Sequence, residues 1–382
     1  MASGTVAPGS AASQIKSLLG SPEVAALVAE LEEARETGRP GYGSRALLGA
    51  CLVKSLYGIP TWSRTARLIA EHAALQEALA GVPSVYALYR FGAKLQRFQP
   101  MLDACLDRLQ ASLADVLPEY GRDIAIDASD LPAFANGQRF VSKGGRERER
   151  FSDPDASWGH RSAVSTRRGG GFYGFRLHLA ACTRTGLPLA WQVATAREHE
   201  YSFALPLIEA VRARGFSPET AALDKGYDQR PLHAELEARN CRPIIPLKET
   251  PDVKRGEHLA PECQHGRWNF AGADFKNKRT KWRCPNAGAA NEGQLSIACS
   301  PASVWIKADR LHPLIPRATK RWRDLYQGRA AVEREFGRLK NEYGLTPLRV
   351  RGLERVALHA DLVMLARLAS ALARARAVPL AA

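Results

Sequence analysis

The sequence predicts an α/β protein in which a mixed β-sheet core follows an all-helical region and is interrupted by an inserted subdomain. Apolar residues recur at helical spacing from about residue 14 to 118. From Gly121 to about residue 246, short β-branched runs alternate with helical segments. A polar segment from about residue 250 to 318 then separates the last predicted strand from a charged helix around Tyr326. The 382 residues suffice for two or three domains.

The charge of the chain points to an anionic partner. Apolar residues make up 45% and charged residues 24%, as in ordinary globular proteins, but the formal net charge is +15. Such an excess favours a polyanion, either nucleic acid or an anionic membrane surface. The sequence has no apolar run near the roughly 20 residues of a membrane span and no secretion signal at its start. We therefore expect a cytoplasmic protein with no membrane partner.

The N-terminal region is expected to contact DNA. Residues 1–13 are small and polar and are predicted to be disordered, whereas residues 14–118 are predicted to form a helical DNA-binding domain. Pro83 follows a glycine-containing turn and precedes a basic, aromatic helix that carries Arg90 and Lys94. This is the outline of a helix-turn-helix, whose second helix could enter a major groove. A plain helical bundle with a basic face is the equal alternative.

Residues 119–382 are predicted to form the sheet core, with the insertion at residues 250–318. The first strand ends in acids with Asp127 among them, and a later strand ends on Asp224 and turns at Gly226. A long polar loop follows the first strand. The remaining elements are a hairpin of strands at 172–182 and 187–196, a helix at 203–214, the Asp224 strand from 220, a helix at 230–239 and a strand at 242–246. Three strands, helix, strand, helix, strand is the element order of a ribonuclease-H-like fold.

A charged helix follows the insertion. At about 100° per residue, Tyr326, Arg329, Glu333 and Lys340 fall within roughly 60° of one another on one helical face. An apolar stripe lies beside them and would pack on the core; it consists of Leu325, Val332, Phe336, Leu339 and Tyr343. A solvated helix with Arg/Glu pairs at one-turn spacing is the alternative interpretation.

The spacing Tyr-x2-Arg-x3-Glu-x6-Lys resembles the signature of DDE transposases from bacterial insertion sequences. That resemblance implies a ribonuclease-H-like core in which the first and fourth strands are neighbours, so that Asp127 and Asp224 lie side by side and Glu333 joins them. It also implies that Tyr326, Arg329 and Lys340 contact backbone phosphates near the cleaved DNA end. The implied activity is binding of terminal inverted repeats, followed by metal-dependent strand cleavage and strand transfer.

Three convergent carboxylates have a chemical consequence. They repel one another, and the pKa of each rises unless a cation compensates. Two Mg²⁺ ions, or Mn²⁺ as a substitute, would compensate, activate a water or a DNA 3′-hydroxyl and stabilise the leaving oxygen. Neighbouring acids are rival candidates for the same role: Asp123, Asp130, Asp228 and Glu335. Glu335 is the poorer choice because it points about 200° away from Glu333 on the helix.

The insertion contains a second group of candidate ligands. Cys263, His265, Cys284 and Cys299 could supply four tetrahedral zinc ligands, although no Cys-x2-Cys pair occurs. Buried free thiols are the alternative, and the other cysteines read as reduced core residues. The three tryptophans of the insertion are expected to pack in its core; they are Trp268, Trp282 and Trp305.

The expected partner is double-stranded DNA, both the terminal inverted repeats and the target. The expected assembly is a homodimer or a higher synaptic complex in the bacterial cytoplasm, associated with the nucleoid. Two other functions remain open. One is a ribonuclease-H-like processing nuclease with the same metal chemistry. The other is a catalytically inactive, sequence-specific DNA-binding protein, which the complete set of acids argues against.

Overall fold

The computed structural model describes residues 10–35, 41–141, 145–147, 149–161, 168–287 and 299–377. Helices occupy the region predicted to be helical, and the first begins at Ala11, where Ser10 accepts a hydrogen bond from the Ser13 N–H. Residues 11–13, which were predicted to be disordered, thus belong to a helix. Residues 1–9, for which disorder was also predicted, lie outside the described residues. The helices are α1 Ala11–Gly20, α2 Pro22–Glu33, α3 Ser44–Leu56, α4 Trp62–Glu71, α5 Ala73–Leu79, α6 Val85–Arg97 and α7 Gln99–Val116.

A six-stranded mixed sheet follows, in the order β2-β3-β1-β5-β6, with β4 also paired to β3. The β1–β3 pair is antiparallel, whereas the β1–β5 and β5–β6 pairs are parallel. Helix α8 connects β4 to β5, and α9 connects β5 to β6. The bounds are β1 Asp123–Pro132, β2 Ser157–Arg161, β3 Gly170–Cys182, β4 Pro188–Thr195, α8 Ala204–Ala213, β5 Thr220–Ala222, α9 Arg230–Ala238 and β6 Arg242–Ile244.

Two details of the predicted sheet are wrong. Strand β2 lies in the segment that was predicted to be a loop, and it pairs with the beginning of β3. Strand β1 continues to Pro132, so that Asp127 lies in the middle of the strand instead of at its end. The strand continues because β3 pairs with it throughout, whereas pairing with β5 stops at Ala125. Asp127 therefore lies just beyond the end of the parallel ladder.

The helical region and the sheet share one continuous hydrophobic core. Helix α13, Leu353–Ala377, packs against α3, α7 and β4. By length and composition alone this helix could span a membrane, so the expectation that no segment has this character was wrong. However, 83% of its most apolar window is buried within the structure, because it forms the centre of the core.

The predicted insertion forms a small antiparallel sheet, β11-β10-β9, beside a two-stranded ribbon. Lys278 in the β9–β10 turn donates to the Glu237 carbonyl, and Arg242 of β6 stacks on Phe275. Of the tryptophans predicted to be core residues, Trp282 is buried, whereas Trp305 is exposed beneath Arg279. The elements are α10 Pro251–Lys254, β7 Glu262–Cys263, β8 Gly266–Arg267, β9 Asn269–Asp274, β10 Arg279–Arg283 and β11 Ser303–Lys307.

The charged helix is divided in two, which corrects the prediction of one continuous helix. Helix α11 is Lys320–Gln327 and α12 is Ala330–Asn341. Between them the chain tightens into a turn with i to i−3 hydrogen bonds, such as that from the Arg329 N–H to the Tyr326 carbonyl. A Cβ at Gly328 would lie 2.9 Å from the Leu325 oxygen and 3.1 Å from Thr183 Cβ. Glycine thus permits a close approach to the β3–β4 turn.

Candidate active site

Asp127 and Asp224 follow neighbouring parallel strands in the same register. Ala125 of β1 lies opposite Ala222 of β5, and each aspartate comes two residues later in its own chain segment. Asp127 Oδ1 accepts a hydrogen bond of 2.9 Å from the Ala128 N–H. Asp224 Oδ1 accepts from the Gly226 N–H and caps the short 3-10 turn Lys225–Tyr227. Each aspartate is therefore held by its local backbone through one oxygen.

Helix α12 carries Glu333 to the same place. The Arg329 guanidinium donates to Asp127 Oδ2 over 2.8 Å through Nη1 and to Glu333 Oε1 through Nη2. One planar group thus contacts carboxylates from a strand and from a helix, which brings these acids within a few ångströms of each other. The helix is fixed against the sheet by its buried face, including Val332, Phe336 and Leu339.

Burial dominates the electrostatics of Asp127. The pKa of Asp127 is raised to about 6, mainly by burial and to a smaller extent by the charges of Asp224 and Glu200. The Arg329 guanidinium and the Ala128 N–H act in the opposite direction without cancelling the effect of burial. A further cation at this carboxylate would relieve the remaining cost of its charge.

The rival acids have other partners. Asp123 accepts from the Thr220 hydroxyl, and Asp130 lies 3.6 Å from Arg176 Nε. Asp228 forms a buried ion pair with Arg310, and Glu335 forms one with Arg367. Glu335 is fully buried on the face of α12 that packs into the core, whereas the Glu333 side chain is 53% exposed.

Lys340 and Tyr326 lie on either side of Glu333 along the chain. Lys340 Nζ donates to Ser129 Oγ over 2.7 Å and to the Asp130 carbonyl over 2.9 Å. Tyr326 stacks on Trp322 with ring centroids 5.0 Å apart. A cavity of about 490 Å³ opens beside Lys340, and its lining includes three cations, Arg161, Lys340 and Arg349.

The other predicted site residues lie in two separate places. Arg90 and Lys94 are exposed on α6, next to the exposed rings of Tyr86 and Tyr89, and Ser84 caps that helix. The predicted ligands of the insertion lie together, with their candidate donor atoms all within 4.8 Å of one another; they are Cys263, His265, Cys284 and Cys299.

Residues 121–369, more than half of the chain, match the Transposase DDE domain family. The chain belongs to this family. The family predicted from the spacing of Tyr326, Arg329, Glu333 and Lys340 is therefore confirmed, and the match begins where the strands begin. A comparison with the curated proteins finds no match. One similar solved structure is the cryo-EM structure of a piggyBac transposase synaptic complex with hairpin DNA, with 12% identity, a TM-score of 0.43, and coverage of 94% of this chain and 74% of that one.

DDE transposases use divalent metal ions, and the residues of this family member fit such ions. Asp127, Asp224 and Glu333 offer carboxylate oxygens, the hard donors that Mg²⁺ and Mn²⁺ accept. The raised pKa of Asp127 is the observation that supports the fit, because a bound cation favours the charged form of a buried carboxylate.

Sequence reasoning about this transposase domain missed Glu200. This residue begins a 3-10 turn five positions after the last residue of β4, and its carboxylate lies 3.3 Å from Arg176 Nη1. Burial raises the pKa of Glu200, as does the charge of Asp224. The strand directions could have indicated it. Strand β3 is antiparallel to both β1 and β4, so β4 runs in the same direction as β1 and ends at the same edge of the sheet. An acid in the short connection that follows β4 therefore lies near the same edge as Asp127.

The raised pKa of Asp127 predicts a gain in stability for Asp127→Asn at neutral pH. Because the pKa in the folded state lies above the ordinary value, the folded protein holds a proton that the unfolded chain releases. The stability associated with that proton is present at low pH and is lost as the pH rises through about 6. In buffer without divalent cations, we expect the variant to melt above the wild type at pH 8 and close to it at about pH 4, near the ordinary pKa of an aspartate. Thermal unfolding at both pH values measures this, and a variant that melts below the wild type at pH 8 would contradict it.

Proposed function

We propose that this protein is a DNA transposase that binds the terminal inverted repeats of an insertion sequence. In this proposal it cleaves DNA strands and transfers them to a target with two divalent ions, Mg²⁺ or Mn²⁺. The observation that carries the proposal is the Arg329 guanidinium shared between Asp127 and Glu333, beside Asp224. This contact joins carboxylates from two separate chain segments, and the pairing of β1 with β5 adds Asp224 from a third, as a site for divalent cations requires.

A ribonuclease-H-like core is part of the proposal. Its support is the order β4-β3-β1-β5-β6 along the main sheet. Strand β3 is antiparallel to both β1 and β4, whereas β5 and β6 are parallel to β1. Helices α8 and α9 connect the strands in the predicted sequence of elements. In this arrangement Asp127 and Asp224 lie just beyond the end of the parallel β1–β5 ladder, where α12 crosses.

The side chains have distinct roles in the proposed reaction. Divalent cations bound by Asp127, Asp224 and Glu333 would activate the attacking oxygen and stabilise the leaving oxygen of an in-line displacement at phosphorus. Arg329 orients two of these carboxylates by contacting both. Lys340 is anchored to β1 by Ser129, two residues after Asp127, so its ammonium group is fixed beside the acids. A phosphate held there would lie next to the reacting atoms.

The course of the bound DNA follows from two adjoining cavities. The cavity beside Lys340 shares Phe134 and Arg349 with a second cavity of about 590 Å³, which reaches Tyr89 of α6. Phe134 is contacted by two guanidinium groups, those of Arg349 and Arg351, at 5.0 and 5.1 Å from its ring centroid. Arginines and aromatic rings together are typical of surfaces that contact nucleic acid. We infer that DNA extends from the carboxylates toward α6, where Arg90 and Lys94 are exposed.

The proposed assembly contains at least two copies of the chain, because transposition requires the two ends of the element to be brought together. The net charge of +15 supports the association with double-stranded DNA, and with it a location beside the nucleoid in the bacterial cytoplasm.

The test is an assay on DNA that carries the inverted repeats flanking the gene, with a second duplex as target. We expect Mg²⁺-dependent cleavage at the repeat boundary and joining of the released 3′ end to the target. Cleavage that ignores the repeats and yields no joined product would favour a processing nuclease. Binding without cleavage at any Mg²⁺ or Mn²⁺ concentration would favour an inactive DNA-binding protein.

Arg329→Ala and Lys340→Ala are each expected to slow cleavage of a bound DNA end by about tenfold or more. Arg329 orients two catalytic carboxylates, and Lys340 is anchored beside them, whereas total DNA affinity is distributed over many cations and should fall only modestly. The matched control is Arg334→Ala, an exposed arginine on the same helix. Single-turnover cleavage by the three variants provides the measurement. Wild-type rates for both Arg329→Ala and Lys340→Ala would refute the positioning role of this helix.

A further inference from the structure

Four side chains of the insertion form a cluster with the dimensions of a tetrahedral metal site. Cys263 Sγ lies 3.8 Å from Cys284 Sγ. The His265 Nδ1 atom lies 3.8 Å from Cys263 Sγ, 3.4 Å from Cys284 Sγ and 3.6 Å from Cys299 Sγ. A tetrahedral zinc ion with Zn–S of about 2.3 Å and Zn–N of about 2.0–2.1 Å requires S···S edges of about 3.8 Å and S···N edges of about 3.5 Å. The observed edges match these lengths.

The chemistry of the cluster selects zinc over the cations of the active site. Three thiolates and an imidazole are soft and borderline donors, which favour Zn²⁺, whereas Mg²⁺ prefers carboxylate and water oxygens. All the cysteines of the described chain are free, and the separation of Cys263 and Cys284 is well beyond the ~2.05 Å of a disulfide bond. The ligands come from three places: the β7–β8 turn, the end of β10 and the start of the segment that leads into β11.

The chain that leaves this cluster through β11 contacts the turn that Asp224 caps. Strand β11 pairs with β10 along its length, and the Ala308 N–H then donates to the Lys278 carbonyl. Two residues later, Arg310 forms a buried bidentate pair with Asp228, at 3.0 Å from Nε to Oδ1 and 2.8 Å from Nη2 to Oδ2. The Asp228 side chain is fully buried and that of Arg310 is 7% exposed.

Asp228 closes the turn that Asp224 opens. Asp224 Oδ1 caps the 3-10 turn at Gly226, and Asp228 is the first residue after that turn. Asp228 is also bound by the Lys248 N–H and by the His233 ring, while Lys248 Nζ donates to the Gly226 carbonyl over 2.7 Å. Arg310 is the contact in this network that comes from the inserted chain.

We propose that the insertion is a zinc-held unit, with Cys263, His265, Cys284 and Cys299 as ligands, and that it uses Arg310 to position the Asp224 turn. In this role Arg310 is a positioning residue, because it acts on Asp224 through Asp228 and does not contact the reacting atoms. The zinc ion fixes β11 on β10 at one end, and the Arg310–Asp228 pair attaches the other end to the catalytic edge of the sheet. The zinc site stands independently, whereas the positioning role rests on the proposed function of Asp224.

Metal analysis tests the zinc site directly. Full-length protein purified without added metal is expected to contain one zinc per chain, and Cys284→Ala and His265→Ala are expected to lose it. His265→Cys should retain zinc because it leaves four thiolates, and Cys105→Ala should retain it because Cys105 is buried in α7. Wild-type protein that contains no zinc, carries iron in its place or forms a disulfide in the cluster would overturn the proposal, even if a variant failed to fold.

Arg310→Lys tests the positioning role, because lysine keeps the charge but loses the bidentate contact. We expect faster amide hydrogen exchange at residues 226–228 and unchanged zinc content. The Mg²⁺ concentration for half-maximal cleavage should rise about 10- to 100-fold, and cleavage should recover at saturating Mg²⁺. A purely structural defect would reduce the active fraction equally at every Mg²⁺ concentration. Arg279→Ala is the control. Arg279 lies in the same unit, but the contacts that the structure describes for it are with Trp305 and Asp274 and not with Asp228.

The outcomes separate this inference from the proposed function. Normal cleavage by Asp224→Asn would refute the role of Asp224, while the zinc content and the exchange rates would still report on the zinc-held unit. If Asp224→Asn is inactive but Arg310→Lys shows wild-type exchange and wild-type Mg²⁺ dependence, the positioning role alone is overturned.

Discussion

Asp127→Asn, Asp224→Asn and Glu333→Gln are each expected to reduce DNA strand cleavage by about 10³-fold or more, while DNA binding stays within a few-fold of the wild type. Each substitution keeps the shape of the side chain and removes the charge that a divalent cation requires. DNA affinity is expected to depend instead on contacts between Lys or Arg and phosphates, and a chain with a net charge of +15 has many cationic side chains for such contacts. The separation of binding from cleavage is therefore the specific expectation.

The measurement is single-turnover cleavage of a DNA end at saturating protein, with binding measured in parallel in Ca²⁺. Asp123→Asn is a matched control, because Asp123 lies on the same strand as Asp127 and accepts a hydrogen bond from Thr220, which asparagine can also accept. We expect this control to cleave within a few-fold of the wild type. Mg²⁺-dependent cleavage that survives in any of the three acid variants removes that residue from the site.

The order of elements was predictable from the sequence because their periodicities are local. Strands β3 and β4 and the helices α8 and α9 lie within about two residues of the predicted bounds, since a glycine or proline marks one boundary of each element. Strand β2 was missed because its residues, Ser157–Arg161, alternate without a buried face and take their strand conformation from pairing with β3. The break at Gly328 was missed because it serves a tertiary contact with Thr183.

The candidate site was predictable only in part. The residue spacing pointed to Glu333 and its neighbours, whereas the expectation that Asp127 lies beside Asp224 came from the resemblance to DDE transposases. The contact between Arg329 and Asp127 joins residues 202 positions apart, and nothing in the local sequence specifies it. The same holds for Arg310, whose pairing with Asp228 spans 82 positions. The cysteines of the insertion lack the spacing of a zinc knuckle, and tertiary structure brings them together: the pairing of β10 with β11 places Cys284 near Cys299, and Cys263 comes from the separate β7–β8 ribbon.

Glu335→Gln is expected to lower the free energy of unfolding by about 3–5 kcal/mol, the largest effect on stability that we expect from a single charge in this helix. Arg367 of α13 donates to Glu335 Oε1 over 2.6 Å and to Oε2 over 3.1 Å, and both side chains are at least 96% buried. Without the carboxylate charge, a guanidinium remains inside the core with a neutral partner. Equilibrium unfolding in urea measures the loss.

Two comparisons make this prediction specific. Glu333→Gln, two positions earlier on α12, removes an ion pair in which the Glu333 side chain is 53% exposed, so it should change stability by only about 0–1 kcal/mol. The double variant Glu335→Leu with Arg367→Met should recover most of the stability, because apolar residues of similar volume can replace a buried pair at little cost. An unchanged urea midpoint for Glu335→Gln would show that Arg367 reaches water. The two substitutions on this helix should thus have opposite effects. Glu333→Gln should abolish cleavage and retain stability, whereas Glu335→Gln should lower stability and leave cleavage intact in the molecules that fold.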